Sequence, residues 1–166
     1  MIHEVTGDLL LSRAQVIAHG VAPLDDFKTG LALALRENWP AMAKDFRHYC
    51  HTHSPKPGSV WMWGGTGGVR IANLLTQEPA AIAGGHPGKA ELSHVNHALH
   101  ALAKVIKEEK FTSVALPRLA CGVGGLDWAK VRPLIETTLG GLGIPVYVYA
   151  SYKKGLAGQE PGLPAK

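Results

Sequence analysis

The segment Val114–Trp128, with the sequence VALPRLACGVGGLDW, has residue types that suit phosphate binding. An apolar run leads into a loop containing Gly122, Gly124 and Gly125, and Asp127 then offers an N-cap for a helix. Small residues let the main chain approach a ligand, and successive N–H groups together with a helix start attract an anion. The spacing fits neither a Walker A loop nor the GxGxxG fingerprint. A plain glycine-rich turn is the alternative to a phosphate cradle.

Two more segments place polar groups where strands are predicted to end. Asp8, in the sequence TGDLL, offers a carboxylate to an exocyclic amine such as adenine N6, or else caps a short turn. In the stretch Ile17–Leu33, a strand ends at His19 and Gly20, and a polar loop leads to a helix that begins at Gly30. That helix start also directs main-chain amides toward a ligand, although an ordinary strand–helix loop has the same pattern.

Short apolar runs alternate with longer helix-like stretches, which predicts a layered α/β fold. A glycine-rich turn between two of the strands predicts a hairpin, so the sheet is expected to be mixed rather than purely parallel. The predicted strands are Ile2–Val5, Gln15–His19, Ser59–Trp63, Val69–Thr76, Ser113–Leu116 and Val146–Ala150. The predicted helices are Gly30–Asn38, Pro40 to about His51, Lys89–Lys110, and one from Asp127 to Gly140.

Composition indicates one globular domain. The chain has 166 residues, of which 46% are apolar and 18% charged, with a formal net charge of +4. The lysines and arginines are scattered along the sequence without the dense basic stripe that DNA readers show, so the charge favours an anionic ligand only weakly. From residue 153 to residue 166 the Gly, Ala, Pro and Lys content predicts a flexible C-terminal tail.

Nothing in the sequence predicts secretion or membrane insertion. Cys50 and Cys121 lie far apart and form no CxxC pair, which favours a reducing compartment. The N-terminus lacks a signal-peptide pattern, and no apolar run reaches membrane-spanning length. We expect a monomeric cytoplasmic protein with no membrane partner, no cofactor and no bound metal.

Together these segments resemble the macrodomain family, whose members bind ADP-ribose. The resemblance covers roughly residues 1–152 and is most specific at PRLACGVGGLDW. It is closest to the branch that includes the terminal ADP-ribose glycohydrolase and the antitoxin macrodomain acting on ADP-ribosylated DNA, whose loop of the PRIGCGL type ends in Trp. The resemblance implies a three-layer α/β/α fold with a mixed central sheet, and a macrodomain spanning residues 1–152.

The resemblance also implies ligand contacts. Asp8 matches the position that holds adenine N6, Leu9 supplies a main-chain amide, Gly20 lies near the distal ribose, and Tyr152 stacks on adenine. The loop around the distal ribose corresponds to Thr29, Gly30 and Leu31. The loop around the diphosphate corresponds to Ala120, Cys121, Gly122, Val123, Gly124 and Gly125.

The same branch carries a nucleophilic lysine directly after an LLT-type strand, and this chain departs from that pattern. Here Gln77 and Glu78 follow Thr76, and no lysine occurs between Thr76 and Lys89. Glu78, Gln77 and His19 are therefore the predicted catalytic groups, orienting or deprotonating a water against ribose C1″. The expected function is hydrolysis of mono-ADP-ribose esters on acidic side chains of proteins, with ADP-ribosylated nucleic acid as a further substrate. The alternatives are a non-catalytic ADP-ribose reader and an ADP-ribose 1″-phosphate phosphatase.

Several other histidines have simpler interpretations. The stretch around Cys50 that contains three histidines fits no zinc signature and is read as a solvated helix end. His94, His97 and His100 fall off the apolar stripe of their helix and are predicted to form a solvated face.

Overall fold

The structure is a computed structural model that describes residues 2–82, 85, 87–122 and 124–163. Its strands are β1 (Ile2–Gly7), β2 (Val16–Val21), β3 (Val60–Gly64), β4 (Arg70–Leu75), β5 (Val114–Pro117) and β6 (Val146–Tyr152). Its helices are α1 (Gly30–Asn38), α2 (Pro40–His53), α3 (Leu92–Glu109) and α4 (Trp128–Thr138). Short 3-10 turns occur at Leu9–Leu11 and Thr66–Gly68.

The six strands form one sheet in the order β1-β6-β5-β2-β4-β3. Five of them are parallel, and β3 at the edge runs antiparallel to β4 through the predicted hairpin. The mixed sheet that the sequence predicts is confirmed. Since β2 and β4 pair from Val16 with Arg70 to Val21 with Leu75, the two strands end level with each other.

Helices cover both faces of the sheet, as the alternation of apolar residues along the strands requires. On one face, α3 and α4 pack against the side chains of Val16, Ala18, Leu74 and Val148. On the other face, α1 and α2 pack against Ile17, Val21, Ile71 and Tyr147. The three-layer α/β/α prediction is therefore confirmed, and no helix among the described residues is long and apolar enough to cross a membrane.

Part of the predicted flexible tail makes contacts with the rest of the domain: Gly158 and Glu160 are buried, whereas most of residues 153–163 are exposed. Glu160 is 5% exposed, and its carboxylate accepts hydrogen bonds from Ser12 Oγ at 2.5 Å, the Arg13 amide at 2.9 Å and Tyr149 OH at 3.0 Å. Composition gives no sign of this anchor, because all three donors belong to other parts of the chain.

Candidate functional site

The carboxyl ends of the five parallel strands meet at one edge of the sheet, and the predicted ligand-binding segments follow those ends. In sheet order these are Asp8 after β1, Tyr152 at the end of β6, the loop 118–127 after β5, the loop 22–29 after β2, and Thr76 after β4. At about 4.8 Å between neighbouring strands, the row from β1 to β4 spans about 19 Å. An extended ligand with several chemical groups fits such a row, and this edge is where open α/β sheets bind ligands.

Main-chain hydrogen bonds within the loop after β5 fix its conformation. Ala120 has a φ of 63°, its carbonyl accepts the Leu126 amide at 3.0 Å, and the Gly125 amide donates to the Gly122 carbonyl at 3.0 Å. Among the described residues, the amides of Gly122 and Gly124 find no acceptor. Unpaired main-chain N–H groups next to the start of α4 are the groups that a phosphate cradle needs.

Close packing explains the glycine at position 124. A Cβ there would lie 2.6 Å from the Ala120 carbonyl oxygen and 2.9 Å from Ala90 Cβ. The Ala90 amide also donates to the Gly124 carbonyl at 3.4 Å, so the loop rests against the segment that follows β4. Val123, which the resemblance includes in this loop, lies outside the described residues.

Arg118 and Trp128, at the two ends of this loop, form a pair that sequence reasoning missed. The Arg118 guanidinium lies 5.7 Å from the centre of the Trp128 ring, at the carboxyl edge of the sheet. Its charge adds positive potential beside the loop amides.

Cys121, in the same loop, is not activated as a nucleophile: burial raises the pKa of its thiol, and its Sγ donates to the Leu119 carbonyl at 3.3 Å.

Asp8 lies at the β1 end of the row with both carboxylate oxygens engaged. Oδ1 accepts the Leu10 amide and Oδ2 accepts the Gly155 amide, each at 3.0 Å. Asp8 therefore caps the short 3-10 turn, and its two oxygens retain further lone pairs for a ligand. The Leu9 amide has no acceptor among the described residues, and Tyr152 is 57% exposed beside Asp8.

The segment after β2 supplies the opposite end of the row. Thr29 and Gly30 are exposed at the start of α1, and Leu31 packs in part against the core. Gly20 faces Thr76, where a Cβ at Gly20 would lie 2.7 Å from Thr76 Oγ1. The Thr76 hydroxyl is buried without a hydrogen-bond partner among the described residues.

Gln77 and Glu78 follow β4, and they have different environments. Gln77 is 8% exposed, pairs with Ala90 across an antiparallel bridge and donates from Nε2 to the Gly88 carbonyl at 3.1 Å, so it closes the base of the loop 79–87. The side chain of Glu78 is half-exposed, with Oε1 2.8 Å from His94 Nε2.

His94 lies on α3, whose histidines were expected to form a solvated face, but its ring contacts Glu78. Its side chain is only 19% exposed, and Nε2 also lies 3.3 Å from Glu91 Oε2. Within the described ranges, Glu78, Glu91 and His94 are the group whose ligand atoms lie close enough to hold a metal ion. The helical spacing of His94 was visible in the sequence, but its partner Glu78 comes from a different element.

His19 does not join the other predicted catalytic residues. Its ring is 1% exposed, packs edge-on against Phe27 and has Nε2 2.6 Å from Asn73 Oδ1. Burial lowers the pKa of His19 to about 4. The Asn73 amide donates to the Trp61 carbonyl, which turns Oδ1 toward His19 and assigns the proton to Nε2. His19 is therefore a buried core residue, and its catalytic role stays a prediction.

An open cleft of about 870 Å³ continues from this row between α2 and the loops after β2 and β4. Its wall includes Ala22, Pro23, Pro79 and Ala80, and no described residue of the loop 118–127 lines it. The cleft is therefore an extension at the β2 and β4 end, separate from the amides of Gly122 and Gly124.

Fold and site together define an α/β domain whose predicted ligand-binding segments lie in a row across the carboxyl ends of its parallel strands. The Macro domain family model matches residues 26–135, and the chain belongs to that family.

The chain resembles larger curated proteins over part of their length. A DNA ADP-ribosyl transferase–DNA ADP-ribosyl glycohydrolase fusion protein of Thermosipho africanus is 26% identical over 165 residues, covering 90% of this chain and 42% of the relative. A DNA ADP-ribosyl glycohydrolase of Thermus aquaticus is 27% identical over 150 residues, covering 90% and 41%. The chain thus spans about two fifths of the length of these relatives. Among solved structures, the macrodomain of Thermus aquaticus DarG superposes with a TM-score of 0.80 at 26% identity, covering 90% of this chain and 98% of that one.

Proposed function

We propose that this domain binds ADP-ribose along the carboxyl edge of its sheet and removes it from ADP-ribosylated DNA. The observation that carries the proposal is the pair of amides at Gly122 and Gly124, which have no acceptor among the described residues, with a carboxylate, Glu78, beyond them at the β4 end. Support for DNA as the substrate comes from the relatives, which are named DNA ADP-ribosyl glycohydrolases.

Glu78 supplies the chemistry that the missing lysine does not. A water oxygen attacks ribose C1″, the bond from C1″ to the acceptor atom breaks, and that atom keeps the electron pair. Glu78 takes the proton of the water, and the released acceptor takes up a proton from solvent. His94 holds the Glu78 carboxylate through Nε2, and Gln77 fixes the loop base beside it.

The test is release of ADP-ribose from a single-stranded oligonucleotide carrying one ADP-ribose. Glu78→Gln should lower kcat by about 10²- to 10⁴-fold, the range for removal of a general base, with an unchanged affinity for ADP-ribose. Glu108→Gln, which removes an equal charge from the exposed surface of α3, serves as the control and should retain full activity. Full turnover in the Glu78 variant would exclude Glu78 as the base.

A second candidate is hydrolysis of the ester that joins ADP-ribose to an acidic protein side chain. A carboxylate is a good leaving group, so this reaction needs a positioned water and a base but no acid near C1″. A peptide carrying glutamate-linked ADP-ribose, assayed beside the oligonucleotide, separates the two substrates. Binding of free ADP-ribose without release from either substrate would identify a reader. The absence of a lysine directly after Thr76 favours that alternative.

A further inference from the structure

The cleft beside α2 is lined by lysine and arginine side chains that are dispersed in the sequence. Its wall contains four cations, Lys28, Arg36, Lys44 and Arg47, and two carboxylates, Asp25 and Asp26. These cations come from a loop and from two different helices, which explains why no basic stripe is visible along the chain.

Internal pairing neutralises only part of this charge. Lys28 forms an ion pair with Asp26 at 2.9 Å, and Arg36 donates to the Asp26 carbonyl at 3.2 Å. Lys44 and Arg47 are exposed and make no ion pair or side-chain hydrogen bond within residues 2–82, 85, 87–122 and 124–163. Two unpaired cations facing one cleft favour an anionic partner.

The unpaired cations follow one face of α2. Lys44, Arg47 and His51 are three and four residues apart, and all three line the cleft. At about 1.5 Å of rise per residue, the charges of Lys44 and Arg47 are offset by about 4.5 Å along the helix axis. Two cations at this spacing can contact neighbouring backbone phosphates of one strand.

The cleft is continuous with the row of ligand-binding segments. Ala22 directly follows β2, and Pro79 and Ala80 follow Glu78, so the wall of the cleft begins where the proposed reaction takes place. A chain attached to ribose C1″ must leave the site at this end. Resting on the proposed function, we infer that the cleft between α2, the loop 22–28 and the residues Pro79 and Ala80 holds the nucleic-acid strand that carries the ADP-ribose, with its backbone phosphates on Lys44 and Arg47.

The test compares two doubly charge-reversed variants that change the net charge equally. Lys44→Glu with Arg47→Glu alters the cleft, whereas Lys104→Glu with Lys107→Glu alters α3 on the opposite face of the sheet, at the same three-residue spacing. Thermal unfolding verifies that both variants fold. Affinity for a fluorescent single-stranded DNA bearing one ADP-ribose is measured by anisotropy, and affinity for free ADP-ribose by calorimetry.

The cleft variant should bind the modified DNA about tenfold or more weakly, with an unchanged affinity for free ADP-ribose. The slope of log K against log salt should become shallower by about 1.4, since each lost single-strand phosphate contact removes about 0.7. The α3 variant should retain the affinity of the original chain.

Three results would overturn the inference: equal losses in both variants, an equal loss for free ADP-ribose, or the same loss for an ADP-ribosylated peptide. Turnover is scored separately in the unsubstituted chain. Absence of turnover with a cleft-dependent DNA affinity contradicts the proposed hydrolysis and supports the inference. Turnover of modified DNA, with a DNA affinity that does not depend on the cleft, supports the proposed hydrolysis and contradicts the inference.

Discussion

At the scale of single residues, Gly122 offers a cleaner test of the phosphate cradle than Gly124. A side chain at Gly124 would meet the Ala120 carbonyl, whereas a Cβ at Gly122 has no heavy atom within 4 Å and its φ is not in the left-handed region. Gly122→Glu should keep the fold and weaken ADP-ribose binding at least tenfold, because two like charges about 4 Å apart repel by about 1 to 4 kcal/mol between bulk water and a protein surface. Calorimetry measures the loss. Gly122→Ala is the uncharged control, and equal weakening by both would point to sterics rather than charge.

The buried His19 should make folding stability depend on pH. The folded chain protonates it only below about pH 4, against an ordinary value of 6.5, so the unfolded chain binds the proton first as pH falls. This contribution to stability is complete above pH 6.5 and is lost progressively toward pH 4, by about 3 kcal/mol in total. Urea unfolding at several pH values measures it. His19→Gln removes the titrating group, so a pH dependence identical to that of the original chain would contradict this assignment.

At the scale of elements, Glu160 fastens the C-terminal segment that also contacts Asp8. The segment donates the Gly155 amide to Asp8 and accepts the Asp8 amide on the Leu156 carbonyl at 2.7 Å. Glu160→Ala leaves the half-buried hydroxyl of Ser12 and the buried hydroxyl of Tyr149 without their acceptor, which should cost about 1 to 3 kcal/mol of unfolding free energy. Tyr149→Phe combined with it in a double-mutant cycle should show coupling, and strictly additive losses would exclude the contact as the cause.

Sequence patterns predicted the elements whose determinants are local. The bounds of α1 match the prediction at both ends, and Asp127 caps α4 by accepting the Ala129 amide, because capping and helical periodicity depend on neighbours a few residues away. The contact of Glu160 with Ser12, the burial of His19 against Asn73 and the contact of His94 with Glu78 were not predicted. Each joins residues that are 16 to 148 positions apart, which no local pattern encodes.

At the scale of the whole molecule, strand order decides which parts of a ligand meet which residues. Asp8 and Tyr152 lie at the β1 and β6 end, the cradle lies after β5, and Thr29 and Glu78 lie at the β2 and β4 end. A ligand laid along the row with adenine at the first end places its diphosphate at the cradle and its distal ribose near Glu78. This placement predicts the orientation of ADP-ribose along the row, and fragments of ADP-ribose can test that orientation.

AMP and ribose 5-phosphate should each bind far more weakly than ADP-ribose, since each occupies one end of the row and the cradle in part. Tyr152→Ala removes the exposed ring at the adenine end, so it should weaken AMP by about 1 to 3 kcal/mol and leave ribose 5-phosphate unaffected. Gly122→Glu should weaken both fragments, because both place a phosphate at the cradle. Calorimetric titration of the two variants with each fragment measures this pattern. If Tyr152→Ala weakened ribose 5-phosphate and not AMP, the ligand would lie in the opposite direction, and Glu78 would no longer be near the ribose that the proposed reaction attacks.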